Sequence, residues 1–190
     1  MGTSNGWADN QTLRMGLTQL VLTMLIVLSA QTIFAQEAEE RLKNKLSLGF
    51  THTLVPTAVD DGNQKYWLAL PSWGFDYDRY LGRLWRVGLH TDLVIQNFEF
   101  EDNEGVIKKR VKPLSIAGVV TREMGKGFAV FAGGGVELSS DEETLALLRI
   151  GVEYGWELPR NFEVSVNAMT DIKITAYNAF VFGFGIGKNF

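Results

Sequence analysis

The chain has 190 residues, 46% of them hydrophobic, with 20 glycines, 12 phenylalanines, only 4 prolines and a net charge of −4. That length holds one ordinary domain with its own core, and the acidic balance excludes a basic nucleic-acid-binding surface and so a nucleic-acid partner. There is no cysteine, which excludes a disulfide framework and thiolate metal sites.

Residues 16–35, "GLTQLVLTMLIVLSAQTIFA", carry no charge and follow Arg14. The unbroken apolar part, residues 20–28, is short for a bilayer-spanning helix. It fits the apolar region of a secretory signal peptide over residues 1–35, cleaved after Ala35, with Ile33 an imperfect match to the small-residue cleavage rule. An uncleaved anchor helix is the alternative, and Met15 is a second possible start. Residues 36–45, "QEAEERLKNK", read as a short, charged periplasmic lead-in.

From Leu46 onward the period is two, and helical periodicity is nearly absent. Leu46, Leu48 and Phe50 oppose Ser47, Gly49 and Thr51. Trp73, Phe75 and Tyr77 oppose Ser72, Gly74, Asp76 and Asp78. Trp85, Val87, Leu89 and Leu93 oppose Arg86, Gly88, His90 and Asp92. Residues 111–122 are a strand by composition, with ambiguous parity. Phe128, Val130 and Val136 oppose Ala129, Gly133, Gly135 and Glu137. In "LLRIGVEYGWEL", Leu148, Ile150, Val152, Tyr154 and Trp156 oppose Arg149, Gly151, Glu153, Gly155 and Glu157. Phe162, Val164 and Val166 oppose Glu163, Ser165 and Asn167. The final run, "AFVFGFGIGKNF", sets Phe180, Phe182, Phe184 and Ile186 against Gly183, Gly185 and Gly187. Only a strand separates such sets onto two faces. Pro71 and Pro113 mark bulges or strand edges. Seven turn signals, "VDDGNQ", "YLGRL", "EDNEG", "EMGKG", "SSDEET", "LPRN" and "IKITAYN", divide residues 46–190 into eight strands.

Alternation alone does not say which face meets solvent. A soluble barrel puts apolar side chains inside, and a membrane barrel puts them outside. Three features favour the second arrangement. The polar face is also the glycine face, suiting an eight-stranded interior only wide enough for side chains. Aromatics gather near strand ends in two groups: Tyr77, Tyr80, Trp85, Phe128, Tyr154, Trp156 and Phe162, then Tyr66, Trp67, Phe98, Phe100, Tyr177 and Phe180. Two belts of rings are expected at the rims of a bilayer-spanning barrel. Finally, tight connections carrying Arg83, Lys126 and Arg160 alternate with longer, mostly acidic ones. The expected fold is therefore all-β: an eight-stranded antiparallel up-and-down transmembrane β-barrel preceded by a signal peptide. Closure leaves no unpaired edge in hydrocarbon, and an even strand count puts both termini on the periplasmic side.

The signal segment, the eight alternating runs and the ending "GFGIGKNF" resemble small bacterial outer-membrane β-barrel proteins of the OmpX and OmpA size, over residues 46–190. The resemblance implies outer-membrane lipids and lipopolysaccharide as surroundings, a monomer, and the barrel-assembly machinery as a partner reading Gly185 and Phe190. Lys188 departs from that pattern, because the residue two before the end is usually aromatic.

The inward charges, Asp76, Asp78, Arg86, Asp92, Glu137, Arg149, Glu153, Glu157, Glu163 and Asp171, with His90, read as a lumenal network that plugs the barrel. A narrow polar pathway for ions or water is the functional alternative. His52 faces outward. A membrane-embedded lipid A-modifying hydrolase would need a nucleophile beside such a histidine, and "GFTHTLV" and "GLHTDLV" contain no His-x-Ser arrangement. The loop acids Asp60, Asp61, Glu99, Glu101, Asp102, Glu104, Asp141, Glu142 and Glu143 lack EF-hand spacing and read as solvated loop tips. "FAGGGVE" lies within a strand, so it is no nucleotide loop. The reading is a structural or surface-interaction protein, non-enzymatic, with no cofactor and no metal.

Overall fold

The computed structural model describes residues 42–60, 64–140, 142–174 and 176–190. The expected signal peptide, residues 1–35, lies outside the described residues, as do Asp61 and Asp141. The strands are β1 (Asn44–Val59), β2 (Lys65–Tyr80), β3 (Trp85–Val94), β4 (Phe98–Glu101), β5 (Ile107–Arg110), β6 (Leu114–Gly125), β7 (Phe128–Leu138), β8 (Leu145–Leu158), β9 (Phe162–Lys173) and β10 (Asn178–Asn189). Eight of them run β1-β2-β3-β6-β7-β8-β9-β10, each antiparallel to the next, and β10 pairs back onto β1 from Lys45 with Asn189 to Leu54 with Phe180. The ring is an all-β closed barrel. The seam ends with reciprocal backbone hydrogen bonds of 2.9 Å between Asn44 and Phe190, which puts both chain ends of the barrel at one rim.

The alternation is physically expressed as two opposite environments. Leu48, Phe75, Leu89, Ile150, Phe182, Phe184 and Ile186 are each about half exposed on the outer surface. Their strand neighbours Asp78, Arg86, His90, Glu137, Arg149 and Asp171 are buried within the ring. A soluble barrel would have these sets exchanged. Glycine on the inner side makes room for larger lumen residues: a Cβ on Gly151 would lie 2.3 Å from the Phe131 ring and 2.6 Å from Met169.

The seven turn signals all fall at connections, and the three at the terminal rim are short. In the β6–β7 turn, Gly127 has φ +82° and its Cβ position lies 2.2 Å from the Gly155 carbonyl oxygen, so only glycine closes this turn without displacing β8. Three expected boundaries move. β1 starts at Asn44, two residues before Leu46, so it takes Lys45 out of the lead-in. The strand expected over residues 111–122 begins at Leu114, just after Pro113, with Ser115, Ala117, Val119 and Thr121 inward. The second long connection is not plain loop: β4 and β5 form a hairpin with "EDNEG" at its tip, and β4 touches β1 through the Phe100–Ala58 pair. Pro71 lies within β2 just where its ladder to β3 has ended at Ser72–Val94, so the missing N–H leaves no gap on that side.

Candidate functional site

The lumen is stacked in layers, because each strand delivers every second residue inward at successive heights. Nearest the terminal rim, Lys45 Nζ donates to Glu153 at 3.0 Å and to Glu163 at 2.5 Å. Arg86 reaches Glu153 at 2.6 Å, Glu123 at 3.5 Å and Asp78 at 3.8 Å. Tyr80 is buried beside this group, its ring 6.0 Å from the Arg86 guanidinium carbon.

In the middle layer Arg149 holds Asp171 with two parallel bonds, Nε to Oδ1 at 2.7 Å and Nη2 to Oδ2 at 2.8 Å, and lies 2.8 Å from Asp92 through Nη1. This is the fork-to-carboxylate geometry that a lysine cannot reproduce. His90 Nε2 is 3.2 Å from Asp78, and its ring packs edge-on against Phe131 at 5.4 Å. Asp76 accepts a hydrogen bond from the Thr91 backbone amide at 3.1 Å.

Above it, Glu137 accepts from Arg110 Nε at 3.0 Å and from the Tyr177 hydroxyl at 2.8 and 2.9 Å, with Lys173 at 3.5 Å. An apolar roof follows: Val55, Ala58, Leu70, Val94, Phe98, Phe100, Leu145 and Tyr177 pack together, with Phe100 and Tyr177 ring centroids 4.5 Å apart. The hairpin β4–β5 supplies both phenylalanines. Its tip is set by Asp102, which accepts from the Glu104 and Val106 amides at 2.9 Å each and from Lys108 Nζ at 2.9 Å. The Lys108 ammonium, then the backbone amides, hold this carboxyl below the usual carboxylate range, and Asp102 in turn holds Lys108 above the usual lysine value.

The expected network residues thus divide among the layers: Arg86 with Glu153, Arg149 with Asp92, Glu137 higher up, and His90 against Asp78. Sequence reasoning missed Lys45, Arg110, Glu123, Lys173 and Tyr177, all of which join the lumen. Glu157 is a correction: it is exposed at the terminal rim across from Glu163, because β8 runs past the seal there. Tyr80, Phe98, Phe100 and Tyr177 are also corrections. The sequence places them in the rim belts, but they are buried: Tyr80 shares the inward parity of Asp76 and Asp78 on β2, and Phe98, Phe100 and Tyr177 lie in segments that turn into the mouth. Asp102 is a turn-former rather than a free loop acid. Among the described residues, no cluster of three or more metal-ligating side chains occurs.

Outside, rings mark both rims. At the terminal rim Tyr77 donates to Asn44 at 2.9 Å, Arg122 lies 4.8 Å over Trp85, and Lys188 lies 4.3 Å over Phe162 while donating to the Arg160 carbonyl. At the other rim Trp67 stacks on Phe180 at 5.9 Å. His52 faces outward between Phe182 and Pro71 in register, its ring edge-on to Phe50 at 5.2 Å. No hydroxyl or carboxylate among the described residues hydrogen-bonds to it. Phe190 is half exposed, and Gly185 lies inward across from Gly49.

A closed eight-stranded ring with an apolar exterior and an ion-paired interior is the outer-membrane type of β-barrel. Two solved structures have a similar fold. One is Ail, the attachment invasion locus protein of Yersinia pestis, at 13% identity and TM-score 0.51, covering 79% of this chain and 99% of that one. The other is Neisserial surface protein A, at 10% identity and TM-score 0.52, covering 77% and 97%. No protein-family model and no curated protein matches the sequence.

Proposed function

We propose that the chain resides in the outer membrane as a plugged, non-enzymatic barrel that acts through its loop-bearing rim, in a structural or surface-contact role. The observation that carries this reading is the double seal of the lumen. Ion pairs fill it from Lys45 up to Glu137, and the Phe98–Phe100–Tyr177 roof covers them, so neither end offers a water-filled path. The cavity lined by Gly49, Gly74, His90 and Arg149 has only about 10 Å³ of room. An interior so filled suits a rigid stake in the bilayer better than a conduit.

On this reading the outer belt meets lipid, the loop rim meets lipopolysaccharide head groups and the exterior, and the terminal rim faces the periplasm. The barrel works as a monomer inserted by the barrel-assembly machinery, with Gly185 and Phe190 as the residues read, and is exported by a signal over residues 1–35. The two structures of similar fold carry names that speak of attachment and invasion and of a surface protein. At their identities they contribute the fold alone.

Membrane fractionation with gel migration before and after boiling tests the placement. The protein is expected in the outer-membrane fraction, with mobility that changes on heating. Recovery in the soluble periplasm would overturn it. Planar-bilayer recording tests the seal: no stable single-channel steps are expected.

A further inference from the structure

The two rims of the barrel differ in the sign of their charge. Among the described residues, the terminal rim presents Arg79, Arg83, Arg122, Lys126, Arg160 and Lys188, and Glu157 is the one exposed side-chain carboxylate beside them. The loop rim exposes Asp60, Glu99, Glu104, Glu142 and Glu143, which Lys65, Lys109 and Lys112 offset only in part. Three of the terminal-rim cations stand on strands. Arg79, Arg122 and Lys188 share the outward parity of Tyr77, Val120 and Ile186, at the terminal edge of the apolar belt. Each is set beside a ring. Arg79 Nη1 and the Tyr77 hydroxyl both donate to Asn44 Oδ1, at 3.2 and 2.9 Å. Arg122 lies over Trp85 and Lys188 over Phe162. The ring order puts the three on every second strand, β10, β2 and β6, about 10 Å apart at the usual strand spacing. None of them has a carboxylate within 4.0 Å among the described residues. Each keeps N–H donors beyond these contacts, since an ammonium has three and a guanidinium five.

We propose that this arc binds the phosphates of anionic phospholipid headgroups through Arg79, Arg122 and Lys188; this rests on the outer-membrane reading above and adds a headgroup preference to it. Belt rings sit at headgroup level, so cations held beside them are held at the depth of the phosphates. Their stems lie along apolar surface while their charged ends reach the interface. Guanidinium forks match phosphate oxygens. A zwitterionic headgroup brings its own ammonium, which repels the arc, whereas an anionic one leaves the attraction uncancelled. A cell-wall polymer below the bilayer would instead meet the turn cations Lys126 and Arg160. The sideways parity of Arg79, Arg122 and Lys188 favours lipid.

The test folds the full chain into phosphatidylcholine vesicles carrying a trace of spin-labelled phosphatidylglycerol or spin-labelled phosphatidylcholine. The share of each label immobilised against the protein is measured. Phosphatidylglycerol is expected to be preferred about twofold at low salt. The preference should fade in about 1 M salt, where charges are screened within about 3 Å. Arg79→Gln with Arg122→Gln and Lys188→Gln should remove most of it. Arg122→Lys with Lys188→Arg should keep it, which separates charge from packing, and so should Lys109→Gln at the loop rim. Inorganic phosphate at constant ionic strength should leave the ratio unchanged; competition would overturn the proposal in favour of a site for the free ion. Equal ratios for the unaltered protein and the triple variant overturn it. If the triple variant does not fold, an undiminished ratio in Lys188→Gln overturns it. Co-sedimentation with purified peptidoglycan that needs the same three residues, without a lipid preference, overturns it in favour of the wall polymer. Heat-modifiable migration from the same vesicles reports that the barrel is folded. A flat ratio in a folded barrel therefore sinks the headgroup preference alone, whereas recovery in the soluble periplasm sinks the outer-membrane placement.

Discussion

Arg149 shows what one lumen residue carries. It is fully buried; its guanidinium hydrogen-bonds Asp171 bidentately and lies within ion-pair distance of Asp92, 2.8 Å. Replacing it with methionine keeps much of the volume but strands two buried carboxylates, and breaking such a site costs about 3–5 kcal/mol. Arg149→Met should therefore lower the urea midpoint of the barrel folded in lipid vesicles. Adding Asp171→Asn should recover part of that loss, because the two effects are coupled through contact. His52 is the opposite case. It presents a polar ring to the apolar belt with only Phe50 edge-on. His52→Phe should raise the same midpoint, by an amount equal to about 1 kcal/mol of stability, since no hydrogen bond is lost and a polar group leaves hydrocarbon. A fall would mean that the imidazole has a partner in the membrane. The side of each of these residues was readable from parity alone. Their partners were not, because a partner depends on which strands are neighbours and on register. Lys45 was missed for a simpler reason: a charged run before the first apolar alternation looks like linker until β10 is known to pair with it.

At the scale of the element, the β4–β5 hairpin departs furthest from what alternation suggests. "FEFE" alternates like a barrel strand, with Phe98 and Phe100 on one face, so the sequence places them in a rim belt. Parity tells which side of a strand a residue occupies, but not where the strand itself lies. Here the strand leans across the mouth to meet Ala58 of β1, and its apolar face becomes the roof. Charged residues that would be unwelcome in the roof, Glu99 and Lys109, stand opposite each other in register on the other face of the hairpin. The tip depends on ionised Asp102. Its carboxyl titrates lower in the folded hairpin than in the unfolded chain, so its contribution is present above the unfolded value, about 3.9. That contribution fades as pH falls through the lower folded value. Amide exchange at Glu104 and Val106 should accelerate in that acid range while exchange in the β1–β10 seam stays slow. Asp102→Asn should remove this pH dependence by abolishing the titration. If both regions loosen together, the hairpin is no separate unit.

For the whole molecule, the question is how many seals close the lumen. The two differ in chemistry, and Tyr177 and Arg110 link them through Glu137. The roof is apolar and belongs mainly to the hairpin, Tyr177 and the upper ends of β1 and β2. The layers below are ion pairs held at positions beneath the roof: Arg86 on β3, Glu153 on β8, and Arg149 on β8 with Asp171 on β9. Ring closure fixes those strands whether or not the roof is present, because every lower ladder, from β1–β2 round to β10–β1, is complete without β4 or β5. Replacing residues 97–112 with a short glycine-serine loop removes Phe98, Phe100 and Arg110 together. The altered chain should still fold to a heat-modifiable barrel. It should expose the upper lumen to small probes, so that Glu137 and Lys173, now short of Arg110, become hydrated. It should nevertheless pass no stable current in a planar bilayer, because the Lys45–Glu153–Arg86 and Arg149–Asp171 groups still fill the cross-section below. Steady conductance after that deletion alone would show that the ion-paired layers yield once the roof is gone, and that the hairpin is the gate of a channel.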